Sequence, residues 1–124
     1  MSEEISQLPP QIQQRLLRLQ QLQQNLQGVM AQKQQLTLQL TETQNATNEL
    51  EKLADDAVVY KSIGALLVKA EKIKVSADLA DRKELVKMRV DVLTKQEERL
   101  RTQVKELQEK LQQDLRPVSG SSLG

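Results

Sequence analysis

One stretch of the sequence decides the fold: Asp55-Asp56-Ala57-Val58-Val59-Tyr60-Lys61-Ser62-Ile63-Gly64-Ala65-Leu66-Leu67-Val68-Lys69. It contains two runs of β-branched and apolar residues, one on each side of Gly64, and this pattern predicts a β-hairpin rather than a helix. We expect the hairpin segment to occupy residues 55–75. Because an isolated two-stranded hairpin is only marginally stable in water, its apolar faces and open edges should be covered by other chains.

The side chains expected to join subunits are the apolar and aromatic residues of this segment: Val58, Val59, Tyr60, Ile63, Leu66, Leu67 and Val68. Several hairpins that close into a barrel would cover both the faces and the edges. A four-stranded sheet shared by two copies is a simpler arrangement that the sequence leaves open. Tyr60, the only aromatic residue of the chain, should pack in the barrel with its hydroxyl group reaching a polar partner.

Residues 9–54, ahead of this segment, have the pattern of a long helix. Pro9 and Pro10 lie at its start, where the first turn of a helix tolerates proline. Apolar residues repeat at the a and d positions of a heptad over about six heptads, which is the pattern of a coiled coil. The apolar members of this seam are Leu8, Ile12, Leu19, Leu22, Leu26, Val29, Leu36, Leu40 and Leu50.

Residues 76–116 are predicted to form a second helix. Ser76 is a suitable N-cap residue, and Asp78 lies in the first turn, where the helix dipole favours a negative charge. Pro117 ends the helix, so that residues 117–124 are expected to be a disordered tail and residues 1–8 a flexible N-terminus. The apolar seam of this helix contains Leu79, Val86, Val90, Leu93, Leu100, Val104, Leu107 and Leu111.

A short hairpin between two long helices returns the chain on itself. We therefore expect a mainly α fold, a long antiparallel coiled coil of two helices joined by a β-hairpin that assembles into an oligomeric β-barrel. If the helices meet near Ala54 and Leu79, the numbers of facing residues add to roughly 130. This register places Lys33 near Glu97, and a matched pair of charges at core positions would fix the register.

The composition argues against several classes of function. The chain has 124 residues, enough for one domain, and contains no His or Cys for nucleophilic or metal chemistry. Its glycines match neither a phosphate-binding loop nor a dinucleotide-binding motif. We expect no enzymatic activity and no cofactor.

The charge and hydropathy patterns also argue against nucleic acid and membrane as partners. A net charge of +1 provides little attraction for a polyanion or for an anionic membrane. No apolar run approaches the roughly 20 residues of a membrane span, and the acidic N-terminus lacks the features of a signal peptide. We expect a soluble, cytoplasmic protein.

The whole arrangement resembles the β-class subunit of prefoldin, in an archaeal-type form with a single hairpin. The most specific likeness is in Val59-Tyr60-Lys61, Gly64 and Leu66-Leu67-Val68, and Gln39-Leu40-Thr41-Glu42-Thr43 resembles the family pattern late in the first helix. The resemblance extends from Leu8 to Leu115. One hairpin resembles the β class, because the α class has two.

The resemblance implies a hexamer of two α-class and four β-class chains, whose hairpins build a double β-barrel carrying six coiled coils. It also implies an ATP-independent molecular chaperone, a holdase that binds non-native proteins at the coiled-coil tips and delivers them to a group II chaperonin. The implied partners are therefore an α-class prefoldin subunit, other copies of this chain, unfolded client proteins and the chaperonin.

With the hairpin at the base, the tips are the start of the first helix and the end of the second. The residues predicted to bind clients there are Ile5, Leu8, Ile12, Leu16, Leu17, Leu111 and Leu115. Ile12 and Leu111 also fit a role in the core, and Leu8 fits an apolar contact at a helix start. Residues 16, 17 and 115 lie off the seam and favour client binding, because exposed apolar clusters often mark binding sites.

The alternative function is a structural coiled-coil scaffold or tether that binds one folded partner. Such a scaffold has no need of an apolar β segment at its centre. A nucleic-acid-binding coiled coil is a further rival, but the chain lacks basic stretches and stacking aromatic residues.

Overall fold

The computed structural model describes residues 7–116, in which two long helices flank a β-hairpin. The elements are α1 (Pro10–Glu51), β1 (Val59–Ile63), β2 (Leu66–Ala70) and α2 (Lys72–Asp114). The predicted mainly α fold, with an antiparallel two-stranded hairpin between its helices, is confirmed. The predicted tail at residues 117–124 and most of the predicted flexible N-terminus lie outside the described residues.

The chain divides into two compact units, and each helix contributes residues to both. Among the described residues, the terminal unit comprises residues 7–31 and 94–116. The hairpin unit comprises Gln32–Leu93 and therefore contains both strands. Neither helix is long and apolar enough, within residues 7–116, to cross a membrane.

The predicted heptad seam supplies the core of each unit. In the terminal unit the buried side chains are Leu22, Val104 and Leu111. In the hairpin unit they are Thr43, Leu50, Val86 and Leu93. The hydroxyl group of Thr43 donates a hydrogen bond of 2.8 Å to the carbonyl oxygen of Gln39, so this buried polar side chain is paired within its own helix. The predicted periodicity thus identified the inward face of both helices.

Contacts inside the terminal unit agree with the predicted antiparallel register. Arg15 of α1 and Asp114 of α2 form an ion pair. Nη2 of Arg101 lies 3.4 Å from Sδ of Met30. The residue numbers of both pairs add to about 130, as the heptad pairing requires. The proposed pairing of Lys33 with Glu97 stays a prediction, since those residues belong to different units.

The second helix begins at Lys72, so the prediction of Ser76 as its N-cap residue is wrong. The backbone N–H of Val75 donates to the carbonyl oxygen of Glu71 at 3.0 Å, which puts Glu71 at the N-cap position. The ammonium group of Lys72 donates to the carbonyl oxygen of Leu53 at 2.7 Å and to Oδ1 of Asp55 at 3.2 Å. These contacts hold the first residue of α2 against the loop that follows α1, and thereby favour a helix that starts directly after β2.

Candidate assembly and binding surfaces

The hairpin is closed by a two-residue turn made of Gly64 and Ala65. Ile63 pairs with Leu66 across the turn, and Gly64 has a φ of 55°. Ala65 does not have a positive φ, so the turn fits type II′, which suits the right-handed twist of the two strands. Glycine is required at the first turn position because a side chain would be strained at this φ.

The strand register divides the side chains between two faces of the hairpin. Lys61 lies opposite Val68, and residues directly opposite each other share a face. The apolar face consists of Val59, Lys61, Ile63, Leu66, Val68 and Ala70. The mixed face consists of Tyr60, Ser62, Leu67 and Lys69. One face is therefore aliphatic except for a single lysine, and the other carries one leucine and the only aromatic ring.

Most apolar side chains of the hairpin are uncovered in the single chain. The exposed fractions are 73% for Leu67, 66% for Leu66 and 60% for Tyr60. Val58, Ile63 and Val68 are also exposed, and Val59 is half-buried. Because the sheet has two strands, each strand also has an outer edge that no described strand pairs. The hairpin therefore offers both apolar side chains and backbone groups to another chain, and the packing expected for Tyr60 stays a prediction.

Polar contacts attach the hairpin to α2. Nζ of Lys61, the one charged residue of the apolar face, lies 3.5 Å from Oδ2 of Asp78. Both side chains are more than half exposed, so the pair contributes little to stability. The ammonium group of Lys61 thus lies near α2, and the exposed aliphatic side chains of the apolar face are Ile63, Leu66 and Val68.

The predicted client-binding residues at the helix ends differ in accessibility. Leu17 is 60% exposed and Leu115 is 51% exposed. Leu16 is half-buried, and it lines a shallow depression together with Leu19, Leu111 and Leu115. Leu16 therefore lies beside apolar residues at the end of α2, although it is off the seam.

The seam members of the predicted set are less accessible than Leu17 and Leu115. Leu111 is only 5% exposed, so it does not lie on the accessible surface. Leu8 and Ile12 are half-buried, and Ile5 lies outside the described residues. Among the described members of the predicted set, Leu17 and Leu115 are exposed, and the half-buried Leu16 lies at the same helix ends.

Sequence reasoning missed a group of exposed apolar residues on α2: Leu85, Met88 and Val92. Their spacing is helical, but they lie off the a/d seam and belong to the hairpin unit, whereas the described tip residues belong to the terminal unit. The sequence could have indicated these residues, because they are apolar residues of the second helix that do not belong to its seam. An apolar residue that has no place in the core of its own coil is a candidate for contact with another molecule.

The prefoldin subunit family model matches residues 13–117 of the chain. The chain belongs to the prefoldin subunit family. Prefoldin subunit beta of Methanosarcina acetivorans is 47% identical over 112 residues, which is 90% of this chain and 96% of the relative. Prefoldin subunit beta of Thermococcus kodakarensis is 46% identical over 110 residues, which is 89% of this chain and 94% of the relative.

Solved prefoldin structures have the same fold. The crystal structure of the prefoldin beta subunit from Thermococcus strain KS-1 gives a TM-score of 0.81 at 46% identity, covering 88% of this chain and 96% of that chain. The prefoldin beta2 subunit of the same strain gives a TM-score of 0.67 at 22% identity, covering 73% and 97%, and this likeness concerns the fold alone. The resemblance to the β class is confirmed. The chain is a subunit of the chaperone prefoldin, and subunits of this family form hetero-oligomers with one another.

Proposed function

We propose that the chain is the β-class component of an ATP-independent holdase, which binds non-native proteins at the coiled-coil tips and delivers them to a group II chaperonin. The observation that carries this proposal is the apolar surface at the helix ends, where Leu17 and Leu115 are exposed beside the half-buried Leu16. Non-native proteins also expose apolar side chains, and burial of the two surfaces against each other is favourable.

Binding at a single tip is weak. Complete burial of a leucine side chain contributes roughly 2 kcal/mol, so Leu17 and Leu115 together contribute at most a few kcal/mol before the client is ordered. A total of about 4 kcal/mol corresponds to a dissociation constant near 1 mM. Several tips acting on one client raise the effective concentration, and thereby the overall affinity, without making any single contact hard to release. A reversible holdase of this type therefore needs several copies of the tip.

In the proposed assembly, the hairpins join several chains and thereby provide several copies of the tip. In a hexamer of two α-class and four β-class chains, the hairpins would close into a double β-barrel. Closure would pair the outer strand edges and turn one face of each hairpin, such as the apolar face with Leu66, to the inside of a barrel, while the other face, with Leu67, would pack against neighbouring chains of the assembly. The same surface explains why an isolated copy would be prone to associate.

The proposed function requires no catalysis, because release follows from weak binding. The sequence contains no His or Cys for nucleophilic chemistry, and we assign it no cofactor. The absence of cysteine also suits a reducing compartment, and we propose the cytoplasm, where the chaperonin partner would be available.

Holding is tested by the aggregation of an unrelated denatured protein without ATP. The chain is assayed alone and with an α-class prefoldin subunit, while light scattering measures the mass of the complex. We expect suppression by a complex of hexamer mass, and loss of suppression when Leu17 and Leu115 become serine. Leu38→Ser is the matched control, since Leu38 is a 55% exposed leucine in the hairpin unit. Equal suppression by the tip variant and the control would refute the assignment of the tips.

Delivery is tested separately, by following a labelled client from the complex to a purified group II chaperonin on native gels. We expect the label to move to the chaperonin without ATP. Holding without transfer would contradict delivery alone. An assembled complex that neither holds nor transfers a client would leave the scaffold or tether as the function.

A further inference from the structure

The shallow depression at the helix ends combines apolar walls with two side-chain amides. Its lining residues, which together we call the tip depression, are Leu16, Leu19, Gln108, Leu111, Gln112 and Leu115. All of them belong to the terminal unit. Gln108 and Gln112 are exposed, and their amide groups have no hydrogen-bond partner within residues 7–116. Both amides are therefore available to a molecule that enters the depression.

The lining of the tip depression contains no charged side chain. Another depression of the terminal unit has Arg18, Glu106 and Lys110 in its lining, and an apolar occupant there would remove charges from water at a cost. The leucines of the tip depression impose no such cost, and the amides impose little if the occupant bonds to them. Arg15 and Asp114, which adjoin lining residues in the sequence, form an ion pair with each other. The tip depression therefore suits an uncharged occupant that is apolar in part and can form hydrogen bonds.

The spacing of the lining residues on the second helix matches the repeat of an extended chain. Gln108 and Gln112 are about 6 Å apart along the helix axis. Leu111 and Leu115 have the same spacing, because the backbone N–H of Leu115 donates to the carbonyl oxygen of Leu111 at 2.9 Å and continues the helical turn. In an extended chain, alternate residues are about 6.6 Å apart and turn their side chains to the same face. An extended segment that runs along α2 can therefore place alternate side chains against the leucines while alternate peptide groups meet the amides.

We propose that Gln108 and Gln112 bind the peptide backbone of a client, so that the tip selects extended, uncharged segments with alternating apolar side chains. A glutamine amide offers both a donor and an acceptor, as a peptide group does. Native proteins also expose apolar side chains, but their backbone groups are mostly paired in helices and sheets. A tip that binds free backbone groups together with apolar side chains therefore distinguishes a non-native chain from a native one. This inference rests on the proposed function and names the feature of the client that the tip recognises.

Two short synthetic peptides test backbone recognition. In the first, leucine alternates with serine, and in the second an ester bond replaces each internal peptide bond, which removes the N–H donors and keeps the side chains. The full-length chain is assembled with an α-class subunit, and ligand-observed NMR measures the dissociation constant of each peptide in the millimolar range. We expect the ester analogue to bind about fivefold more weakly, which is the net effect of one hydrogen bond in water. Apolar contact alone would make the less polar ester bind equally well or more tightly.

Substitution of the amides tests the role of the two glutamines. The double variant Gln108→Met and Gln112→Met keeps unbranched side chains and makes the depression more apolar. We expect it to bind the first peptide about fivefold more weakly than the unaltered chain, with no further loss for the ester analogue. Gln113→Met is the matched control, since Gln113 is exposed in the same turn but does not line the depression. Circular dichroism on each variant checks that the helices remain.

The outcomes separate this inference from the proposed function. Equal binding of the two peptides, or tighter binding by the methionine variant, overturns backbone recognition and leaves the holdase intact if the complex still suppresses aggregation. Suppression of aggregation without binding of either peptide also overturns this inference alone. Association of complexes with one another that the methionine variant abolishes would assign the tip depression to a second copy of the chain and overturn it as well. A complex that binds neither peptide and does not suppress aggregation contradicts both proposals.

Discussion

Replacement of Leu66 and Leu67 by serine should weaken assembly without unfolding the chain. The two leucines are 66% and 73% exposed, so they contribute little to packing within the single chain. Complete burial of a leucine contributes roughly 2 kcal/mol, and the part still exposed here corresponds to about 1.4 kcal/mol for each residue. The double substitution should therefore cost assembly about 3 kcal/mol per chain, or roughly a hundredfold in the dissociation constant.

The assay is a dilution series of the complex with an α-class subunit, in which light scattering measures mass and circular dichroism measures helix content. We expect the variant to dissociate at a concentration roughly a hundredfold higher than the unaltered chain, with unchanged helix content. Leu38→Ser removes a leucine of similar exposure outside the hairpin and should leave the mass unchanged.

Two results would refute this reasoning. If the double variant dissociates at the same concentration as the unaltered chain, the apolar hairpin residues do not form the assembly surface. If the helix content falls together with the mass, the hairpin is needed for folding of the chain itself, and the separation of assembly from folding is wrong.

Further predictions concern the stability of the chain, measured by urea unfolding. Gly28→Ala should stabilise α1 by about 1 kcal/mol, because a Cβ there meets no atom within 4 Å and glycine is a poor helix former; no gain would argue against a regular helix at that point. Gly64→Ala should cost about 1 kcal/mol or more, because the residue has a φ of 55°, and an unchanged midpoint would contradict the type II′ turn. Arg15→Asp should destabilise the terminal unit by about 1 kcal/mol, and adding Asp114→Arg should recover much of it; a double-mutant cycle without coupling would contradict the ion pair.

The heptad spacing of the sequence was sufficient to predict the helical pair and its inward faces. Leu22, Val86 and Leu93 lie on the predicted seam, and all three are buried. The spacing works because a helix presents every third or fourth residue on one side, so a long apolar repeat has only one way to be buried. The hairpin was equally predictable from the sequence, because runs of β-branched and apolar residues on both sides of a glycine are typical of two strands joined by a turn.

The candidate site was predictable only in part, because exposure depends on what the other helix reaches. Leu16 and Leu17 are adjacent and both off the seam, yet Leu16 is half-buried near the end of α2 while Leu17 is 60% exposed. Leu111 was a candidate for client binding and proved to be core, at 5% exposed. Sequence spacing gives the angular position of a side chain around its own helix. It does not determine how much of that side chain a neighbouring helix covers.

The sequence by itself determined the two helices, the hairpin between them and the likeness to prefoldin, since each depends on local pattern and periodicity. Only the tertiary structure decided that α2 starts at Lys72, because the side-chain bonds from Lys72 to Leu53 and Asp55 join segments on opposite sides of the hairpin. It also decided which apolar residues outside the seam are exposed, including Leu85, Met88 and Val92 on α2. Periodicity is a property of one helix, whereas burial and long-range hydrogen bonds depend on the atoms that a second segment brings near.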